Sequence, residues 1–496
     1  MNTNDAIKDH LLSNKERIKL DILLYLIKKV ETSTKSIAAH FNFPMKRTLG
    51  YLKELSDDFA CISFSSLNIS IGKGFITLSS SNYDLETHYY ILFNFYCKHS
   101  TNFILLSALF NKKNTTIKEV SEATVFSTSY IYKKIPILNK LLDLYGLSVN
   151  FSSQSKLIIT GTEFQIHYFF LDTYWTIFLT LPELDLSHGY STNLLNQHIN
   201  WSILKKLGSV SQLKLALLLQ ITDSRYPFPV ESNIAHDLKE HPYLKNFSEQ
   251  SLTLFADYSS FSTEQKLIVD IIAPMMFDTF ATPERMLSFK QYLHEQKNIE
   301  YLYIENLLHD FSSAFQLNIT KDDFLYYSML LMKGIIYNQL FVSKQPNTSL
   351  PDFLIKKDSL QPNSMYVKIN KYYKNYVIEK QPIITFRDQE NVSWTSELLL
   401  RMYKNYSVRK SITIGIFYSR DFYITDFIKL KIQQAFGEDI NFLTKTFDGC
   451  DIVIADYPIV NLPNNVKKIY IFEEKISAVD WEDIFKQVSM VLFEAQ

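Results

Sequence analysis

Two stretches of this chain share one grammar: a short helical run, a polar turn, and a second helical run that reopens on hydroxyls and cations. They read TSTKSIAAHFNFPMKRTLGYLKEL at 32–55 and TIKEVSEATVFSTSYIYKKIPILNKLL at 116–142. Helices this short do not hold their shape alone in water, so each pair must brace itself across its turn. In the first stretch, hydroxyls at Thr32 to Thr34 predict a helix cap, Asn42 a turn, and Pro44 the first turn of a second helix. Ala38 and Ala39 allow close approach, and Leu49, Leu52 and Leu55 are expected to pack inward. That phase turns Lys46, Arg47, Thr48 and Lys53 to the outside, while Gly50 sits inside the second helix and weakens it. The run ERIKLDILLYLIKKV supplies a leading amphipathic helix through Ile18, Ile22, Leu26 and Ile27. The alternating CISFSSLNISIGKGFITLS predicts a hairpin wing closed at Gly72 and Gly74.

The second stretch repeats this plan, with FILLSALF as leading helix, TIKEVSEAT as brace and STSYIYKKIPILNKLL as reader. Ser127, Thr128 and Ser129 are placed to cap the reader, and Tyr130, Lys133 and Lys134 to face phosphates or base edges. Pro136 predicts a kink or an early stop. Between Lys98 and Lys140 seven lysines stand against Glu119 and Glu122, an excess of positive charge where a DNA-contacting surface needs it. A braced second helix entering the major groove is the physical use of this geometry.

At 496 residues the chain exceeds a single core, so several domains are expected. A net charge of -1 excludes a uniformly basic coat and leaves room for a local basic face. Cys61, Cys97 and Cys450 are too scattered for a disulfide framework or a metal clamp, and a reducing compartment is the easier reading. The apolar runs near Asp172 and Lys333 are interrupted by charge, and the start lacks the order of a secretory signal. A soluble, cytoplasmic protein without membrane contact is expected.

The middle is read as one or two helical bundles, from SVSQLKLALLLQITD, EQKLIVDIIAPMMFDTFA and IEYLYIENLLHDFSSAF. Its histidines, among them His198 and His236, are spaced too irregularly for a metal site, and no cofactor is assigned. From residue 410, strand and helix patterns alternate through KSITIGIFYS, FYITDFIKLKIQQAF, INFLTKTF, CDIVIADYP, VKKIYIFEE and WEDIFKQVSMVLFE, predicting a compact α/β domain. Asp448, Asp451 and Asp456 match no calcium loop and are expected to border the sheet.

Taken in order, SIAAHFNFPMKRTLGYLKEL, TIKEVSEATVFSTSYIYKKIPILNKLLDLYGL and KLIITGTEFQIHYFFLDTYW resemble the Mga family of transcription regulators, which includes the anthrax toxin activator. The resemblance implies a multidomain, mainly α chain: winged helix-turn-helix units at 1–83 and 84–166, helical regulatory domains of the PRD type at 167–288 and 289–400, and an EIIB-like α/β domain at 408–496. It implies a cytoplasmic, homodimeric activator that binds double-stranded promoter DNA through Lys46 to Lys53 and Ser127 to Lys134 and works with RNA polymerase. It further implies control by a phosphodonor protein of the phosphotransferase system acting on His198 or His236. Where a catalytic EIIB domain would carry its acceptor cysteine, this chain has Phe417, Tyr418, Ser419 and Arg420, so no enzymatic activity is expected. A noncatalytic interaction scaffold and a phosphotransferase component are the rival readings.

Overall fold

The computed structural model describes residues 3–29, 31–62, 67–72, 74–80, 85–110, 116–151, 156–178, 192–227, 254–276, 283–341, 365–380, 389–406, 412–417, 422–436, 440–443, 446–456, 463, 466–471 and 478–495. The chain divides into two units, Met1–Leu302 with Ser328–Ser349 and Tyr303–Tyr327 with Leu350–Gln496. Most of the described residues are helical, with a small parallel sheet near the C-terminus. No helix among the described residues is long and apolar enough to cross a membrane.

The first unit opens with α1 (Thr3–Leu11) and α2 (Asn14–Lys29), the latter burying Leu20, Ile22, Leu23, Leu26 and Ile27. Ile18, expected on that face, is half-buried. Then come β1 (Glu31–Ser33), α3 (Thr34–Phe41), α4 (Met45–Ala60), β2 (Asn68–Gly72) and β3 (Phe75–Ser79). The three strands form an antiparallel sheet in the order β1-β3-β2, so the expected hairpin gains a third strand from the segment between α2 and α3. This is the winged-helix arrangement. Ser33 caps α3 by accepting the Ser36 N–H at 3.0 Å, and Asn42 ends it at φ 55°, a left-handed turn that asparagine tolerates. Pro44 lies just before α4 instead of inside its first turn.

The helical phase of α4 corrects one expectation. The buried positions are Thr48, Tyr51, Leu52, Leu55 and Phe59, so Thr48 faces inward and Leu49 is 42% exposed. Thr48 can be buried because its hydroxyl donates to the Pro44 carbonyl at 3.3 Å.

The plan recurs in α5 (Leu85–His99), α6 (Thr101–Phe110), α7 (Ile117–Thr124), α8 (Thr128–Leu142), β4 (Ser148–Phe151) and β5 (Leu157–Thr160). Strands β4 and β5 pair as an antiparallel wing, and Thr116 bridges Lys156 just ahead of α7. A reciprocal capping box joins Thr116 and Glu119 at the start of α7. Helix α8 runs unbroken through Pro136, against the expected stop; the proline lies on the exposed side, and Ile131, Ile135, Leu138, Leu141 and Leu142 hold the opposite face in the core. Asn139 fastens this helix to its wing, donating to the Val149 carbonyl at 3.0 Å and accepting the Val149 N–H at 2.8 Å.

Helix α9 (Glu163–Phe178) follows the second wing and packs on α12 (Ser209–Arg225), which in turn meets α10 (Thr192–His198) and α13 (Thr263–Met276). Between α10 and α12 lies the short α11 (Trp201–Leu204). Beyond it, α14 (Pro283–Glu295) belongs to the first unit, while most of α15 (Ile299–Ala314) and the start of α16 (Lys321–Phe341) are assigned to the second.

In the second unit α17 (Met365–Lys380) pairs with α18 (Gln389–Tyr406), and Phe311, Phe315, Tyr372 and Tyr376 form a ring cluster with Phe311–Phe315 centroids 4.5 Å apart. The α/β segment contains β6 (Ile412–Phe417), α19 (Phe422–Phe436), β7 (Ile440–Leu443), β8 (Ile452–Ala455), β9 (Lys468–Ile471) and α20 (Ala478–Ala495). All its strand pairs are parallel, in the order β7-β6-β8-β9. Ile412, Ile414, Ile416, Ile452 and Ile454 form one face, covered by Ile428 and Ile432 of α19 and by Ile484, Val488 and Val491 of α20.

Candidate nucleic-acid interface

In each winged helix the exposed side of the second helix of the motif is the candidate reading surface. On α4 it contains Met45, Lys46, Arg47, Leu49, Gly50 and Lys53. Neither Lys46 nor Lys53 forms an ion pair with a described residue, so both ammonium groups remain available to an anion. Arg47 is held more firmly. Its guanidinium lies 4.9 Å from the Phe43 ring centroid and donates to the Tyr51 hydroxyl at 3.0 Å, which orients a charged fork at the N-terminal end of the helix. Thr48, grouped with these residues by sequence, does not join them.

On α8 the Ser127 hydroxyl accepts the Tyr130 N–H at 3.3 Å and lies 3.1 Å from the Ser129 hydroxyl. Ser127 is therefore the cap, while Thr128 and Ser129 are exposed in the first turn. Tyr130 is half-buried: its hydroxyl donates to Thr101 at 3.1 Å and its ring lies 5.4 Å from the Lys134 ammonium. Lys133 is exposed without an ion-pair partner among the described residues, and Lys134 is half-buried along its stem. Tyr132, 49% exposed, packs edge-on against Phe151 of the wing at 5.4 Å. Sequence reasoning missed Tyr132, whose contact is created only when the wing folds back. Lys112 and Lys113, counted in the local charge excess, lie outside the described residues.

The two turns differ. Asn42 takes the left-handed conformation in the first winged helix, and Val125 takes it at φ 58° in the second, 90% exposed. A β-branched residue is strained there.

Of the two histidines singled out, His198 ends α10, is 6% exposed, and places Nδ1 3.0 Å from the Ser259 hydroxyl and its ring 4.1 Å from that of Phe261. Burial lowers its pKa, with Asp223 opposing and Lys266 reinforcing that shift. His236 lies outside the described residues. Cys450 is fully buried, its thiol raised by burial and by Asp451 and Asp448. Asp451 borders the sheet as expected, accepting the Thr413 N–H at 2.9 Å and pairing with Lys467 at 3.3 Å. Among the described residues no group of His, Cys, Asp and Glu side chains is arranged to hold a metal ion.

No curated protein matches this chain. Residues 85–174, from the start of α5 into α9, match the Mga helix-turn-helix domain, and this span encloses α7, α8 and the second wing. Over this span the chain is similar to the Mga helix-turn-helix domain.

Proposed function

We propose that this protein is a DNA-binding transcriptional activator that contacts double-stranded promoter DNA through both winged-helix units. The observation carrying this reading is the tandem of braced helices, each presenting on its exposed face lysines without an ion-pair partner among the described residues, one of them inside the Mga helix-turn-helix domain. Lys46, Arg47 and Lys53 on α4, and Thr128, Ser129, Lys133 and Lys134 on α8, supply the contacts. Ser127 and Tyr130 position the second helix, and Thr48 the first. The domains assigned from sequence, 1–83, 84–166, 167–288, 289–400 and 408–496, are the working division.

Replacing Lys133 and Lys134 with alanine is expected to weaken binding across all sequences and to lower the slope of log affinity against log salt by about 2. Titrations at several salt concentrations on promoter and unrelated duplexes decide this. Unchanged affinity and slope, with folding intact, would remove α8 from the interface.

Control enters through the middle of the chain, where a phosphodonor protein of the phosphotransferase system modifies His198 or His236 and shifts the homodimer population. A phosphate on His198 introduces a dianion near Lys266 and Asp223, attracted to one and repelled by the other, and it competes for the ring nitrogen now beside Ser259. Mass spectrometry under conditions that preserve phosphohistidine, with sedimentation of His198→Ala, tests the assignment. The promoter-bound form recruits RNA polymerase, and no bond-breaking chemistry is assigned to the chain.

A further inference from the structure

We propose that Gly50 is the point of closest approach between α4 and the floor of the DNA major groove, a positioning residue whose missing side chain lets the helix seat. This rests on the DNA-binding reading above. Gly50 lies inside a continuous helix, where glycine is less favourable than every other residue except proline. Two other glycines have reasons within the fold. A Cβ on Gly415 would come within 2.7 Å of the Cys450 sulfur, and Gly161 takes φ 130°. Gly50 has neither reason: its φ is not positive, and a Cβ built there meets nothing within 4 Å. The fold accommodates alanine at this position and gains helix propensity from it, so the reason for glycine lies outside the fold.

The neighbours identify the outside partner. Lys46 precedes Gly50 by one turn and Lys53 follows it by one turn, both exposed and without ion-pair partners among the described residues. Beside the glycine, Leu49 is 42% exposed, and Met45 on the preceding turn is 38% exposed. Cations at either end with apolar atoms between them match a groove lined by phosphates and carrying thymine methyl groups on its floor. Asp57, exposed one turn beyond Lys53, confines the anion-compatible surface to the N-terminal half of α4, the half that reading helices present to base edges. A side chain at position 50 would stand the backbone away from those edges while leaving the phosphate contacts within reach of long lysines.

The test uses the full-length chain and duplexes that the wild type enriches from a random-sequence library. Gly50→Ala and Gly50→Leu are compared with Ser56→Ala, an exposed control farther along α4, and with Lys46→Ala/Arg47→Ala. Gly50→Ala is expected to raise the first melting transition by roughly 2–4 °C and to weaken binding to the enriched duplex about tenfold, with Gly50→Leu losing more. Binding to an unrelated duplex at low salt should stay within about twofold, because phosphate contacts dominate it. The lysine–arginine variant should lose both. If both Gly50 variants bind the enriched duplex as the wild type does while the lysine–arginine variant fails, the proposal is overturned and the DNA reading stands. If the wild type enriches no duplex, the DNA reading falls and takes this proposal with it. If the Gly50 variants alter only sedimentation of the free protein, the glycine serves a protein contact and the proposal is likewise overturned.

Discussion

Thr48 and Leu49 show how a one-residue difference in helical phase reverses a surface assignment. Hydrophobicity alone places Leu49 inward, yet the core is reached through Thr48, Tyr51, Leu52, Leu55 and Phe59, and the threonine's local hydrogen bond removes the cost of burying it. The neighbouring cations were legible because a charged side chain is costly to bury unless a partner is placed to meet it, as Asp58 meets Lys19 on α2. The turns were legible only in part. Asn42 announces a left-handed residue, whereas Val125, at the corresponding place in the second motif, announces the opposite and adopts the conformation because its helices are closed by packing on either side. Val125→Asn is therefore expected to stabilise the second winged helix by about 1–2 kcal/mol, since no buried contact is given up at a residue 90% exposed. Chemical denaturation followed by a probe in that unit checks this; a neutral or destabilising result would mean that the Val125 side chain makes a contact worth more than its backbone strain.

Among elements, the helix ends of the second winged helix are joined to the helical middle by a cluster that no local sequence pattern discloses. Glu163 begins α9 and Arg225 ends α12; the guanidinium donates to both carboxylate oxygens, at 2.7 and 3.0 Å, and to the Phe110 carbonyl at the end of α6 at 3.4 Å. His167 lies one turn along α9, its Nδ1 3.4 Å from the same carboxylate. The partners are 62 residues apart, which is why sequence periodicity found the helices and missed the join. Burial alone would raise the Glu163 pKa, but the hydrogen bonds from His167 and Arg225 and the Arg225 charge hold it down to about 2 from an ordinary 4.5. A carboxylate lowered on folding contributes stability that is complete above pH 4.5 and is lost as pH falls through about 2. Arg225→Met should cost about 3–5 kcal/mol at neutral pH by stranding the buried carboxylate. Because the variant also lets Glu163 take up a proton more readily, the deficit should shrink as the pH is lowered from 5 toward 2.5, roughly the interval of the shift. Urea titrations at both pH values measure this; a deficit constant across the interval would show that the ion pair is not the source of the stability.

Within the first unit, taken whole, the two candidate reading helices are tied together through the helices that precede them. Helix α1 packs on α6, α8 and α9, and it is tied back to α2 by the Lys8–Asp21 pair and by Arg17–Asp9 at 2.8 Å. Asn102 at the head of α6 donates to the His10 carbonyl at 2.9 Å, and the Ser100 hydroxyl donates to the Leu11 carbonyl. From the other side the Asp58 carboxylate of α4 takes both the Lys19 ammonium of α2 and the Tyr96 hydroxyl of α5, with Lys19 lying 4.7 Å from the Tyr96 ring centroid. None of these ties follows a repeat or a motif, so the sequence shows two separate modules where the fold makes one body. The consequence for DNA is geometric. Two readers on a loose tether tolerate added base pairs whenever both half-contacts return to the same face of the duplex, and their gain over a single reader depends on effective concentration. Two readers locked together accept one spacing only. Inserting about 5 base pairs between the halves of the footprint turns one half away by half a helical turn, and inserting about 10 restores the face while moving it about 34 Å farther off. Both insertions are expected to reduce affinity to that of a chain with one reader disabled by Lys133→Ala/Lys134→Ala. Footprinting and binding titrations on the three duplexes measure this, and recovery of wild-type affinity with the longer insertion would show that α1 and the Asp58 cluster release the readers when DNA binds.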